Sequence, residues 1–300
     1  MNARLLALAL IVPPFLAACS ASVITVPPPA LPQPISVVYS EEGASGWNDV
    51  TVGTYRVPNT SVFISGHQSG GVGFLFGAVG VLAQDASQAS AGGNTVKGSQ
   101  DALHVDLVPQ ARAITQKLLA SGRFGQTFAA NPAPDGPVLT VTPYVVITTL
   151  NDTEARPYVI LKASLKGAPP PGWSTRYIAS EGKKLPISGD NSWTANDARL
   201  LHQALTEDLD NAIAAMLEDL AARPLRDDAK LLYVEAGYPF IRPRWGVQGY
   251  KMSENDKFIT FVPKLGPAMV MSGVHVLDKS TISSRPAGKD DKFQVLEEGK

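Results

Sequence analysis

Val138-Leu-Thr-Val-Thr-Pro-Tyr-Val-Val-Ile-Thr148 is the stretch that decides the fold, because its alternation and β-branched residues favour a strand. Proline has no backbone N–H, so Pro143 predicts a bulge or a sheet edge within it. Tyr158-Val-Ile-Leu-Lys-Ala-Ser-Leu165 has the same character and follows the turn-rich interval from Asn151 to Pro157. The two stretches predict an antiparallel hairpin, and Trp173 to Ile178 predicts a further strand after it.

Two amphipathic helices flank this hairpin. Asp106 to Ser121 predicts the first helix, with Gly122 as its cap and Phe124 folded back against it. Its apolar face contains Leu107, Ala111, Ile114 and Leu118. The second helix should open at Thr194 and Asp197, which have the spacing of a capping box, and should end at Arg223-Pro224.

The second helix is the longest in the chain, and its predicted buried stripe contains Leu201, Leu205, Leu209, Ile213, Met216 and Leu220. Its acidic residues predict a solvated opposite face formed by Glu207, Asp208, Asp210, Glu218 and Asp219. The pattern therefore predicts a core helix that lies on a sheet.

A glycine-rich segment, residues 66–93, separates strand-like pieces at 35–39 and 51–64 from the first helix. Three interpretations stay open: a buried helix packed on the sheet, a hairpin that dips into a membrane or contacts another copy, and a mobile loop. The Ala/Gln/Ser-rich continuation favours a helix from about Phe74 to Ala91, ended by Gly92-Gly93-Asn94. Residues 66–83 would be the contact in a homo-oligomer.

The last part of the chain has no helical period and contains short β-like runs between Gly/Pro turns. These runs are Lys230–Glu235, Lys257–Val262, Ala268–Met271, Val274–Leu277 and Phe293–Leu296. The fold class we predict is α+β: an antiparallel sheet with helices packed on one face (residues 35–224), followed by a small C-terminal β module (residues 225–300) with a frayed end.

The N-terminus predicts export. A basic start at Arg4 precedes an apolar run from Leu5 to Leu16, which is too short for a spanning helix and contains two prolines. Leu16-Ala17-Ala18-Cys19 resembles the bacterial lipobox. The resemblance implies removal of signal peptide 1–18 by cleavage between Ala18 and Cys19, with Cys19 acylated as the new first residue. Cys19 is the single cysteine of the chain, so no disulfide or thiolate metal site can form within it.

Residues 19–34 are proline-rich and predict an extended tether between bilayer and body, or alternatively a ligand for a polyproline-binding groove. By analogy with lipoproteins, Ser20 after the cysteine favours the periplasmic face of the outer membrane. The chain has a formal net charge of −1, so no global basic field suggests nucleic acid as a partner.

The order of elements in the body is similar to that of periplasmic lipoproteins of the YajG and ABC-transport-auxiliary type. The residues that show it are Val62-Phe-Ile64, Val108 to Phe124, Leu139-Thr-Val-Thr and the Leu-rich final helix. This resemblance implies an accessory envelope protein rather than an enzyme.

No metal or cofactor site is predicted, because His67, His104, His202 and His275 are scattered and are best read as surface or cap histidines. Ser69 lies one place late for the Gly-x-Ser-x-Gly turn of serine hydrolases, between Gly66 and Gly70. A hydrolase that uses Ser69 is therefore kept as a second alternative function. The same glycines could also present amides to an anion at a helix start.

Residues 238–251 interleave aromatic and basic side chains, which suits a glycan or a lipid headgroup. The contact residues would be Tyr238, Arg242, Arg244 and Trp245. The other interpretation is a connection whose aromatics pack on the β module, which we favour. The leading functional hypothesis is a lipid-anchored, non-catalytic accessory or scaffold subunit that binds an envelope protein, and a glycan- or lipid-binding module is the alternative.

Overall fold

The computed structural model describes residues 26–46, 49–66, 82–129, 136–169, 172–265 and 270–296, with the side chains of 82–88 left aside. The lipobox, Ser20, His67, Ser69 and most of the glycine-rich segment lie outside these residues. Within them the chain forms three α-helices and twelve strands. In chain order these are β1 Ser36–Tyr39, β2 Tyr55–Arg56, β3 Val62–Ser65, α1 Leu82–Thr95, α2 Leu107–Ala120, β4 Val138–Thr149, β5 Ala155–Lys166, β6 Trp173–Ser180, α3 Ala195–Ala222, β7 Leu231–Ala236, β8 Arg244–Glu254, β9 Phe258–Pro263, β10 Val274–Asp278, β11 Ser283–Pro286 and β12 Gln294–Leu296.

All the described strands belong to one mixed sheet with the order β11-β7-β8-β9-β10-β6-β5-β4-β3-β2. The predicted fold class is confirmed: the chain is α+β with a C-terminal strand module, β7 to β12. The module joins the body through a parallel pairing of β10 with β6, in which Val274 lies beside Tyr177. β1 and β3 also run parallel to β4. The sheet is therefore mixed, whereas we predicted an antiparallel sheet.

The hairpin of β4 and β5 is confirmed, and its register is regular over the whole length. Pro143 causes no bulge. On the side of β4 that pairs with β1 and β3, the carbonyl of Val141 accepts from the amide of Ser40, and the amide of Val145 donates to the carbonyl of Ser61. Pro143 lies between Val141 and Val145, so its backbone nitrogen faces the gap between β1 and β3. No neighbouring carbonyl is left without a donor there, and the proline fits because that edge is interrupted.

α2 and α3 pack on one face of the sheet, and the buried residues between them and the strands form the helical-face core. The predicted stripe of α3 is buried throughout, including Leu201, Leu209 and Leu220. α2 begins after Asp106, whose side chain accepts from the Val108 amide, and Phe124 is buried after its end. Both helices therefore form as the spacing of their apolar residues predicts.

Several local predictions are wrong. Thr194 and Asp197 form no capping box, because the Thr194 hydroxyl donates to the carbonyl of Ile187 at 2.8 Å. Asp208 and Asp219 are fully buried rather than solvated. α1 continues through Gly92, Gly93 and Asn94 to Thr95. Within 268–271, Val270 and Met271 form a turn and not a strand.

The C-terminal module contains strands that the sequence pattern did not predict. Arg244–Glu254 forms β8, which pairs with β7, β9 and β12. This stretch is therefore part of the sheet and not a connection. β11 lies at the outer edge of the sheet. The amide of Ala287 donates to Leu231 on β7, so the backbone of Pro286 faces outward from that edge.

The opposite face of the sheet is covered by loops and not by the described helices. Its buried residues form two clusters, which we call together the loop-face core. Phe240, in the connection between β7 and β8, donates its amide to the Thr148 hydroxyl at 3.0 Å. Tyr144 donates to the carbonyl of Asp49 at 3.1 Å and so holds a second loop on this face.

Candidate functional site

Residues 26–35, which we call the N-terminal strap, lie against the body. Trp173, the first residue of β6, donates its indole N–H to the carbonyl of Val26 at 3.4 Å. Pro28 is buried, and Leu31 packs on the helical-face core. At the end of the strap Ile35 exchanges backbone hydrogen bonds with the segment that follows α2. The described half of the predicted tether is therefore seated on the protein and does not act as a free spacer.

The four predicted aromatic and arginine contact residues are bound within the protein. Tyr238 and Trp245 are 0% and 1% exposed, and they contribute to the loop-face core. Arg244 donates to the carbonyl of Glu235 at 2.8 Å, and Arg242 donates to the carbonyl of Gly66. The alternative interpretation, in which the aromatics pack on the β module, describes these residues correctly.

Positively charged side chains are concentrated on the loop-covered face. Arg156 and Arg176 are 5% and 2% exposed, and Lys162 forms an ion pair of 2.6 Å with the buried Asp49. Burial raises the pKa of Tyr144 to about 12, although the charge of Arg176 opposes that shift. Arg156 donates to the Tyr158 hydroxyl at 3.3 Å. Tyr144 on β4 and Lys162 on β5 therefore hold the loop that contains Asp49 on this face.

The three histidines that the structure describes lie apart from one another. His104 is exposed on the surface and His202 is half-buried on α3. His275 is buried, against our prediction of a surface or cap position, and its Nε2 lies 2.7 Å from the carbonyl oxygen of Met271. Burial lowers the pKa of His275 to about 4. The imidazole is therefore neutral at physiological pH.

A buried network under the end of α3 joins three side chains. Tyr177 donates to Asp219 at 2.9 Å, and Arg226 lies 3.3 Å from the same carboxylate oxygen. Burial raises the pKa of Asp219, while Arg226 opposes this shift by its charge. The network closes the chain back on α3, because Arg223 has a left-handed conformation and turns the chain toward Asp219.

A second acidic residue of α3 is buried without such a partner. Asp208 is 0% exposed, and the backbone of Glu181 is the described hydrogen-bonding group that favours its carboxylate. Burial raises the pKa of Asp208 well above its ordinary value, and the nearby charges of Glu181 and Glu207 raise it further. Burial also raises the pKa of Glu181.

The sequence carried a signal for this burial. The buried positions of α3 include Ala204, Ala212 and Ala215 beside the leucines, so the apolar stripe is wider than the leucines alone indicate. Asp208 lies four residues after Ala204 and four before Ala212, in the middle of that stripe. Helical spacing would therefore have placed Asp208 inside.

No cluster of acidic, histidine or cysteine side chains in the described part of the chain could hold a metal ion. The described residues contain no helix that is long and apolar enough to span a bilayer. A shallow groove of about 640 Å³ lies between α2 and α3, with Lys117, His202 and Asp210 in its lining. Ile114 also lines the groove, which is open to solvent.

Comparison with known proteins gives no match: no family model, no curated protein and no solved structure is similar to this chain.

Proposed function

We propose that the protein is a lipid-anchored envelope protein at the periplasmic face of the outer membrane, where it acts as a non-catalytic accessory or scaffold subunit. The observation that carries the proposal is the sequence Leu16-Ala17-Ala18-Cys19 at the end of an export signal. The seating of the N-terminal strap supports it, because Val26 is held on the body only seven residues after Cys19.

Anchoring is tested by Cys19→Ala in cells that export the protein, followed by fractionation without detergent. We expect the wild type in the membrane pellet and the variant in the soluble fraction. Mass spectrometry of the N-terminal peptide should show acyl chains on Cys19 of the wild type. A variant that stays with the membrane, or an N-terminus without acyl groups, would refute the anchor.

The membrane assignment is tested separately with Ser20→Asp. By lipoprotein analogy this change should move the anchored protein from the outer to the inner membrane fraction on a density gradient. An unchanged distribution would contradict sorting by residue 20 and leave the anchor itself intact.

The scaffold role is tested by photocrosslinking in intact cells from Gln203, an exposed residue on the wall of the groove between α2 and α3. A discrete adduct with an envelope protein is the expected result.

The hydrolase alternative predicts that a serine-directed probe labels Ser69, and a Ser69→Ala variant is the control. Labelling that disappears in this variant would replace the scaffold proposal with an enzyme.

A further inference from the structure

The N-terminal strap shows where Val26 is held on the body. Val26 is held at Trp173, the first residue of β6, and Leu165 pairs with Trp173 near the end of β5. The strap then leads into β1, whose first residue Ser36 pairs with Val138 at the start of β4. Val26 therefore lies at one end of the sheet, and we call this end the anchor end.

Other exposed residues lie at the anchor end. α3 runs antiparallel to β6, since Asp208 lies near Glu181 after the end of β6 and Asp219 bonds Tyr177 within it. The turn after α3 therefore points toward Trp173, and it carries Leu225, which is 87% exposed. Lys166, at the end of β5, is also exposed.

The connection from Cys19 to this end is short. Seven Cα steps separate Cys19 from Val26, which is at most about 25 Å for a fully extended chain. Strand β5 contains 12 residues, so the opposite end of the hairpin lies about 36 Å further away. The tether can therefore bring the anchor end to the bilayer much more readily than the β4–β5 loop.

We propose that the anchor end faces and contacts the bilayer that holds the acyl chains of Cys19. Lys166 lies against anionic lipid headgroups, and Leu225 enters the interfacial region beside them. An exposed leucine and a lysine suit this boundary, because the interface accepts apolar groups next to cationic ones. The inference rests on the proposed acylation of Cys19 and adds an orientation to it.

The test uses the full acylated protein in vesicles of phosphatidylethanolamine and phosphatidylglycerol. A photoreactive benzoylphenylalanine replaces Leu225 or Lys166 in the test variants. It replaces Asp152, an exposed residue in the β4–β5 loop, in the matched control. After illumination, mass spectrometry measures the yield of lipid adduct. A further variant carries an insertion of about twenty Gly and Ser residues between Ser20 and Ala21, which lengthens the tether as a flexible chain.

We expect a several-fold higher adduct yield from positions 225 and 166 than from position 152, and we expect the insertion to remove most of that difference. Equal yields from the three positions of the acylated protein would overturn the orientation, and so would a difference that the insertion leaves unchanged. Acyl chains on Cys19 are measured in the same samples. Their absence would overturn the proposed function as well, so the two failures are distinguishable.

Discussion

His275 lies on β10 with its ring 5.0 Å from the ring of Tyr238 and its Nε2 against the Met271 carbonyl. Burial lowers the pKa of His275 from 6.5 to about 4. Between these values the unfolded chain binds a proton that the folded protein does not bind. The free energy of unfolding should therefore decrease as the pH falls from 6.5 to 4, by about 1.4 kcal/mol for each pH unit.

The change that tests this is His275→Gln, which keeps a donor for the Met271 carbonyl and cannot titrate. Urea unfolding at pH 7 and pH 5 should show a smaller loss of stability on acidification than in the wild type. His104→Gln, at an exposed position, is the matched control and should keep the wild-type difference. An equal loss in the His275 variant and the wild type would contradict the prediction.

Asp208 should make the free energy of unfolding depend on pH in the opposite direction. Burial raises its pKa in the folded protein, so the unfolded chain releases its proton first as the pH rises. Stability is therefore greatest below the unfolded pKa of about 4 and falls above it. Asp208→Asn should raise the free energy of unfolding at pH 7 and leave it nearly unchanged at pH 4.

Chemical denaturation at these two pH values measures the effect. Asp210→Asn, two positions along the helix and half-buried, is the control and should change stability little at either pH. A destabilised Asp208→Asn protein at pH 7 would show that the carboxylate is stabilised by groups that the described contacts do not include.

At the scale of the element, α3 is the helix whose packing supports the body. Leu209 is fully buried on it, whereas Leu225 after its end is 87% exposed. Leu209→Ala should cost about 2–5 kcal/mol, because it removes buried methyl groups and leaves a cavity. Leu225→Ala, the same chemical change, should stay within about 0.5 kcal/mol of the wild type. Thermal and urea unfolding check both values, and similar losses in the two variants would mean that α3 is not packed as described.

The same element shows what the sequence could predict. The leucines of α3 are spaced at helical intervals, so its burial was readable from the chain alone. Its start at Thr194 was readable too, but its capping was not, because Asn196, Asp197 and Ala198 adopt positive φ and Thr194 donates to a carbonyl seven residues back. That contact depends on how the preceding loop folds, which local spacing does not encode.

β8 was missed for a related reason. Proline and arginine in residues 239–244 suggested a connection whose aromatics pack on the β module, and the pairing of this stretch as a strand depends on residues far along the chain. The candidate contacts of Tyr238 and Trp245 failed with it, since aromatic side chains suit a core as well as a ligand. The anchor at Cys19 stays a prediction from the sequence motif.

At the scale of the whole molecule, the C-terminal module and the body share a sheet and a core. Val274 and Val276 of β10 belong to the helical-face core together with α3. We therefore expect one cooperative unfolding transition for the described fold. Hydrogen exchange of peptides from β5 and from β9 should become fast at the same urea concentration.

Val276→Ala should lower the urea concentration at which exchange becomes fast, by the same amount for β5 and for β9, because this side chain is 4% exposed in the shared core. Val295→Ala, at a position that is 47% exposed, is the control. Exchange in β9 that precedes exchange in β5 by a clear interval of urea concentration would show that the module unfolds independently.

Pro286 affects whether another molecule can add a strand to the β11 edge of the sheet. An open sheet offers unpaired amides along its rim, and neighbouring molecules can add to such a rim and polymerise. At the outer rim of β11 the ring nitrogen of Pro286 has no hydrogen to donate, and Arg285 is bound in an ion pair to Asp291 at 2.5 Å. The β11 rim therefore accepts another strand poorly, and we expect crowded copies of the protein not to join through this edge.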